Sequence, residues 1–188
     1  MDIQQLKKYW EDNSEQLYTY SPSHVDKGKV DNETFLFLTT CGLPSDAAPF
    51  LSFSELQEDK LRTPNAVFKI DFEGLDDYLM FGSNDSGDPV CIDTTSDNQI
   101  VYLNHDHYFE KVFINESVLQ FAICLTKYRD FILSLVDNTS DNFKRRKFTD
   151  TEFEQLKSDF KSVDGRSLLD NSFWSAELDG LLWERDNE

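Results

Sequence analysis

Residues 78–115 read YLMFGSNDSGDPVCIDTTSDNQIVYLNHDHYFEKVFIN, and this stretch decides the fold. Short apolar or aromatic runs alternate in it with segments rich in Gly, Asn, Asp and Pro, the residues that tight turns select. The pattern predicts an antiparallel meander of short strands over 78–81, 90–92, 100–103 and 109–114. The apolar runs at 51–53 and 67–70 are candidates for further strands at one edge of the sheet.

In the residues before the meander, the apolar positions have the spacing of helices. Apolar residues at 3, 6, 10 and 17 predict a first helix from residue 2 to about residue 18. A second, short helix is expected to begin at an Asp31 or Asn32 cap and to end at Gly42. Glycine just past a helix can adopt the left-handed conformation that satisfies the last carbonyl groups, and Pro44 prevents continuation.

Helical spacing also follows the meander. Asn115 marks the start of a third helix, because Ser117 and Gln120 fit a capping box before one broad apolar face. Two further helices are expected, from Thr149 or Thr151 and from about Asn171. Helices, then strands, then helices predict an α+β fold with an antiparallel sheet of about 4–6 strands and flanking helices. We expect residues 1–188 to form one domain, with 141–188 as its C-terminal helical extension.

Charge and aromatic content exclude two classes of protein. The chain carries 36 acidic and 18 basic residues, a net charge of −18, yet 14% of its 188 residues are aromatic. Acidic disordered tails are poor in aromatic residues, so the chain is expected to fold. A nucleic-acid binder gains affinity by neutralising phosphates with clustered Lys and Arg, and here that contribution would be repulsive.

The sequence favours a cytoplasmic protein. Its first residues lack the apolar region of a secretory signal, and no apolar run approaches the roughly 20 residues of a membrane span. Cys41, Cys91 and Cys124 are odd in number and widely spaced among apolar neighbours, as expected of buried thiols in a reducing compartment.

Three groups of residues invite a metal or phosphate interpretation, and a simpler explanation is favoured for each. In the run His105, Asp106 and His107 the two histidines would point the same way in an extended segment, but no third histidine lies near, and a polar turn explains the run better. Asp85, Asp88 and Asp93 lack the spacing of a calcium loop, so turn formation is favoured. The basic residues 144–147 are best explained as a solvated linker. We therefore predict no metal, no cofactor and no catalytic residues.

Three motifs carry a family resemblance. They read TTCGLPSDAAPFLSF at 39–53, FGSNDSGDPVCID at 81–93 and VFINESV at 112–118. In this order and spacing they resemble the SUKH superfamily, related to the fungal cell-wall synthesis regulators of the Smi/Knr type. Phe173 and Trp174 on a late helix suggest its fourth subgroup. The family often has two serines after the asparagine, where this chain has Glu116 and Ser117; the strand-to-helix turn is unaffected. The resemblance extends from about residue 30 onward.

The resemblance implies a function. Bacterial members of the superfamily are mostly immunity proteins that bind and neutralise polymorphic toxins, many of them nucleases. A strongly acidic inhibitor would be steered to the positively charged cleft of a nuclease. The expected partner is therefore a cognate toxin domain, a basic nuclease, with no nucleic acid or membrane partner and a monomeric or weakly dimeric state. The alternatives are a regulatory scaffold and a metal-dependent hydrolase.

Carboxylates at the ends or edges of the predicted sheet are the candidate partner-binding residues. Loops held by a sheet often carry recognition residues, although turns select Asp whatever their function. The candidates are Asp76, Asp77, Asp85, Asp88 and Asp97.

Overall fold

The computed structural model describes residues 1–53, 60–136 and 146–187. The α-helices in these ranges are α1 (Ile3–Asp12), α2 (Asn32–Thr40), α3 (Pro64–Phe68), α4 (Val118–Ser134), α5 (Asp150–Val163) and α6 (Phe173–Asn187). The strands are β1 (Leu17–Tyr18), β2 (Leu43–Pro44), β3 (Asp46–Ala47), β4 (Leu51–Ser52), β5 (Tyr78–Asn84), β6 (Pro89–Asp93), β7 (Gln99–Asn104) and β8 (Glu110–Asn115). Across these ranges, no helix combines the length and the apolar character that crossing a membrane requires.

Strands β3 to β8 form one antiparallel sheet in chain order, while β1 and β2 pair separately. The α+β fold and the four meander strands are confirmed. β4 lies where the run at 51–53 predicted a further strand, and β3 pairs outside it at the edge of the sheet. Successive side chains of a strand point to opposite faces of a sheet. On β7, Ile100 therefore joins the main core beneath the helices, while Val101 joins a smaller core on the outer face.

The main core unites the sheet with helices from both ends of the chain. Its buried members include Leu6 and Trp10 of α1, Phe81 of β5 and Phe160 of α5. The predicted C-terminal helices thus pack against the same core as the meander. The predicted start of the extension at residue 141 lies outside the described residues.

Two predicted elements are wrong in extent or type. The first helix ends at Asp12 because Ser14 has a left-handed φ of 61°, and Leu17 instead pairs with Pro44 in β1–β2. The run at 67–70 is not a strand. Its first residues complete α3, which Thr63 caps by accepting a hydrogen bond from the Ala66 N–H, and Pro64 occupies the first helical turn. A capping threonine followed by proline is a helix-start signal that outweighed the apolar run.

Gly42 ends α2 in the predicted way. The helix begins after Asp31, whose side chain accepts a hydrogen bond from the Thr34 N–H. Gly42 has a φ of +71°, and its N–H donates to the carbonyl of Phe37. A Cβ atom at this position would lie 1.7 Å from the carbonyl oxygen of Tyr18, so the chain passes too close for any side chain.

A buried hydrogen-bond network joins the end of β8 to α5 and α6. Asn115 is fully buried; its Nδ2 donates to Asp164 Oδ2 at 2.9 Å, and its Oδ1 accepts from Trp174 Nε1 at 2.8 Å. The backbone N–H of Glu116 also donates to Asp164 Oδ2 at 2.9 Å. Because buried polar groups are costly when unpaired, this network fixes how the two helices meet the sheet.

The Ser117–Gln120 capping box is only half formed. Ser117 accepts a hydrogen bond from the Gln120 N–H, as predicted for the start of α4. The Gln120 side chain instead donates to the carbonyl of Val163, at the end of α5. Complete boxes are formed by Thr149 and Glu152 at the start of α5 and by Asp2 and Gln5 at the start of α1.

Replacing Gly42 by alanine should destabilise the protein strongly. The new Cβ clashes with backbone atoms and the residue must hold a left-handed φ, so we expect a loss of about 2–4 kcal/mol in the free energy of unfolding. Gly165→Ala is the matched control, because a Cβ there meets no atom within 4 Å. Urea unfolding measures both, and equal stability of the two variants would contradict a structural role for Gly42.

Asn115→Ala should cost about 2–4 kcal/mol, because it leaves a cavity and removes the buried partners of Trp174 and Asp164. Asn32→Ala is the control, since Asn32 is exposed at the start of α2. Thermal unfolding of the two variants gives the comparison. A wild-type midpoint for Asn115→Ala would show that the network does not stabilise the fold.

Candidate partner-binding site

The five predicted carboxylates lie at two opposite ends of the sheet. Asp76 and Asp77 precede β5, and the Asp77 carbonyl accepts hydrogen bonds from the N–H and Oγ1 of Thr94, which places the turn containing Asp97 beside them. Asp85 and Asp88 lie in the turn after β5. A strand of this length separates the two ends by about 20 Å. The five residues therefore form two groups rather than one face.

Asp88 differs from the other four because its side chain is buried. Its Oδ1 accepts from the His105 N–H at 2.9 Å and lies 2.6 Å from His105 Nδ1, while its Oδ2 accepts from Asn84 Nδ2 at 3.0 Å. Burial raises the pKa of Asp88, but the hydrogen bonds from His105 and Asn84 outweigh it and hold the pKa below its usual value. Both carboxylate oxygens are thus used within the chain. Asp76, Asp77, Asp85 and Asp97 are exposed.

His105 and His107 lie in a polar turn, the interpretation that the sequence favoured. The chain forms a 3-10 turn over His105–His107 and not the extended segment in which two histidine ligands would point the same way. Asn104 caps this turn by accepting hydrogen bonds from the N–H groups of Asp106 and His107. Among the described residues, no group of three His, Cys, Asp or Glu side chains is placed to hold a metal ion.

Asp93, the last member of the supposed cation loop, is an internal acid. It is fully buried, its Oδ2 accepts from Lys111 Nζ at 3.0 Å, and its Oδ1 accepts from the N–H and Oγ1 of Thr95. Burial raises the pKa of Asp93, yet these hydrogen bonds and the Lys111 charge keep it below the usual value. The lysine of β8 therefore neutralises a carboxylate of β6 across the outer face.

The described part of the basic cluster makes contacts within the chain. Lys144 and Arg145 lie outside the described residues. Arg146 pairs with Glu152 through two hydrogen bonds of 2.6 and 3.1 Å, and Lys147 Nζ donates to the Arg185 carbonyl at 2.8 Å. These two cations thus contact α5 and α6.

A cleft of about 680 Å³ opens between the β3–β4 connection and α6. Its floor includes Tyr128 and Ile132 of α4, and its walls include Leu51 and Leu181. The cleft was not predicted, because its walls come from segments that are far apart in sequence and each reads as ordinary core or turn. These segments are residues 46–52, 84–85, 128–132 and 176–184.

Among the residues that the structure describes, the cleft is lined by four carboxylates, from Asp46, Asp85, Glu177 and Glu184, and by no Lys, Arg or His. Only Glu177 among them is partly buried. Burial, followed by the neighbouring charges of Asp85 and Glu184, raises the pKa of Glu177 to about 7. The carboxyl group of Glu177 therefore gains or loses its proton near neutral pH, well above the range of an ordinary glutamate.

Phe50 stands at the mouth of the cleft. Its side chain is 75% exposed, which is unusual for a phenylalanine, and its backbone has a left-handed φ of 51°. A bulky residue adopts this conformation only when the surrounding structure imposes it. The tight β3–β4 connection thus holds an aromatic ring in the solvent beside the four carboxylates.

The family model described as SUKH-4 immunity protein matches residues 4–180. The chain belongs to the SUKH-4 immunity protein family. The match extends over α1, which the motif resemblance did not include, and reaches into α6. Neither the curated proteins nor the solved structures that were compared gave a match.

Besides the cleft, this SUKH-4 protein has an exposed apolar surface on the outer face of the sheet. Phe72 and Phe109 meet edge to face with ring centroids 5.1 Å apart, and Tyr108 beside them is 85% exposed. Phe68 and Ile70 at the end of α3 are also exposed. The outer surface is therefore a second place where a protein could bind.

Glu177→Gln should have a higher free energy of unfolding than wild type at alkaline pH. An unfolded glutamate ionises near pH 4.5 and the folded one near 7, so wild-type stability falls as the pH rises through this window. Glutamine is neutral throughout, so the advantage of the variant over wild type should grow by about 1–2 kcal/mol between pH 5.5 and pH 8.

Urea unfolding at the two pH values measures this difference. Asp179→Asn, an exposed change on the same helix, is the control and should show no such pH dependence. If Glu177→Gln and wild type differ by the same amount at both pH values, then Glu177 ionises like an exposed acid.

Proposed function

We propose that this protein neutralises a cognate bacterial toxin in the cytoplasm by stoichiometric binding, without catalysis or a cofactor. The observation that carries the proposal is the SUKH-4 immunity protein match over residues 4–180. An inhibitor of this kind acts by covering a surface of the toxin, so it needs an exposed binding surface rather than a catalytic centre.

The charge of the chain supports a nuclease as the toxin. A net charge of −18 creates a negative field around the molecule, and a nuclease carries a positive cleft for phosphates. Charges of opposite sign accelerate encounter more than they tighten the final complex. Asp76, Asp77 and Asp97 form an exposed acidic group at one end of the sheet and would contribute to this field.

Co-expression tests the proposal directly. We expect a toxin domain to be encoded beside this gene. It should stop growth when expressed alone, and growth should recover when the full chain is expressed with it. Purified chain and a catalytically inactive toxin domain should also elute together as a complex of fixed stoichiometry. Continued killing, together with separate elution of the two proteins, would contradict an immunity role.

The acidic group at the sheet end should affect the rate of association. The triple variant Asp76→Asn, Asp77→Asn, Asp97→Asn is expected to slow association with the inactive toxin domain several-fold at low salt, with the difference shrinking as salt screens the charges. Dissociation should change little. Stopped-flow measurements across a salt series give both rates.

The matched control changes the net charge by the same amount. Glu33→Gln, Asp170→Asn, Asp179→Asn removes three exposed acids from helices α2 and α6 and from the segment between α5 and α6. If both triple variants slow association equally, only net charge matters, and the sheet end has no special role in encounter.

A further inference from the structure

Glu177 is placed where a carboxylate is unfavourable. It is only partly exposed, and among the described residues its side chain has neither a hydrogen-bond partner nor a cation beside it. The buried acids Asp88 and Asp93, in contrast, each have partners within the chain. A partly buried, unpaired and electrostatically strained carboxylate in a cleft is a common mark of a functional site.

The groups around Glu177 increase the strain. Glu184 lies on the same helix, Asp85 comes from the turn after β5, and Asp46 of β3 lines the same cleft. Tyr102 of β7 is close enough for the charge of Glu177 to act on it. Burial raises the pKa of that tyrosine most, followed by the charges of Asp88 and Glu177. Tyr128 of α4 completes the surroundings. The described groups facing Glu177 are therefore acidic or neutral.

The shape of the cleft favours a long cationic side chain. Apolar side chains that are largely buried form its floor and walls. The methylene groups of a Lys or Arg side chain can pack against them while its charged end reaches a carboxylate. The exposed ring of Phe50 at the mouth offers a face on which a cation can rest. In the described part of the chain, four carboxylates and no cation line the cleft, so its charge is complementary to a positive group.

We propose that this cleft binds a Lys- or Arg-bearing segment of the toxin domain, with the cation paired to Glu177 and the flanking apolar atoms packed beside Phe50. This inference rests on the proposed function and names the surface that carries it out. The sheet-end carboxylates then guide the encounter, whereas the cleft holds the toxin in the final complex.

Pairing with a cation requires an ionised Glu177, so binding is coupled to proton release. Burial and the neighbouring carboxylates raise the pKa of Glu177 to about 7, so the free protein takes up this proton as the pH falls below neutral. A cation in contact favours the charged carboxylate, so binding releases protons in this range and tightens as the pH rises from 5.5 to 8.

Calorimetric titration with the catalytically inactive toxin domain encoded beside this gene tests the inference. Titrations at pH 6.5 in two buffers of different ionisation enthalpy give the number of protons released. We expect Glu177→Gln to abolish this release and to weaken binding at least 10-fold at pH 8, with near wild-type affinity at pH 5.5. Asp179→Asn, on the same helix but outside the cleft, should behave as wild type.

A second pair of variants distinguishes binding at the cleft from binding at the outer surface. Phe50→Ala should weaken binding at every pH without unfolding the protein, whereas Tyr108→Ala on the outer surface should not. Wild-type affinity and proton release in both Glu177→Gln and Phe50→Ala would overturn the inference while leaving the immunity function intact. If only Tyr108→Ala loses binding, the toxin binds the outer surface, and this result would also overturn the inference. A toxin domain that does not bind wild type would instead contradict the proposed function.

Discussion

The hydrogen bonds of Asn115 are the constraint on which the rest of the structure depends. They tie the end of β8 to Asp164 after α5 and to Trp174 in the first turn of α6. Glu177 follows Trp174 by three residues, so the two side chains lie on neighbouring positions of the helix. The network that completes the core therefore also sets the wall of the cleft, and fold and candidate site share one determinant.

The buried acids and the cleft acids of this strongly acidic chain differ in whether they accept hydrogen bonds. Asp88, Asp93 and Asp164 are buried, and each accepts several hydrogen bonds, which offsets the cost of removing a charge from water. The cleft acids have no such compensation within the described chain. Stability alone gives no reason to keep Glu177 among other carboxylates, whereas a cationic partner does. We infer that the unfavourable electrostatics of the free protein are relieved in the complex.

The elements that local chemistry determines could be predicted from the sequence. Turn residues separated the meander strands, and Asp31, Gly42, Ser117 and Thr149 marked helix ends, because capping depends on neighbours in the chain. The run at 67–70 misled because apolar residues alone do not distinguish a short helix from a strand.

The site was less predictable, because burial and proximity are set by tertiary structure. Asp85 and Asp88 occupy the same turn, yet the first is exposed and the second buried. The cleft brings residues of 46–52 beside those of 176–184, and one sequence carries no signal for that proximity. Asn115 was expected only to start a helix, and its partners Asp164 and Trp174 lie 49 and 59 residues away in the chain.

The most direct test of the central claim is a structure of the full chain bound to the inactive toxin domain. The cleft between α6 and the β3–β4 connection should be filled by the toxin, with a Lys or Arg nitrogen within about 4 Å of the Glu177 carboxylate and apolar toxin atoms against Phe50. A complex in which the cleft remains open to solvent and the toxin contacts only other surfaces would contradict the claim.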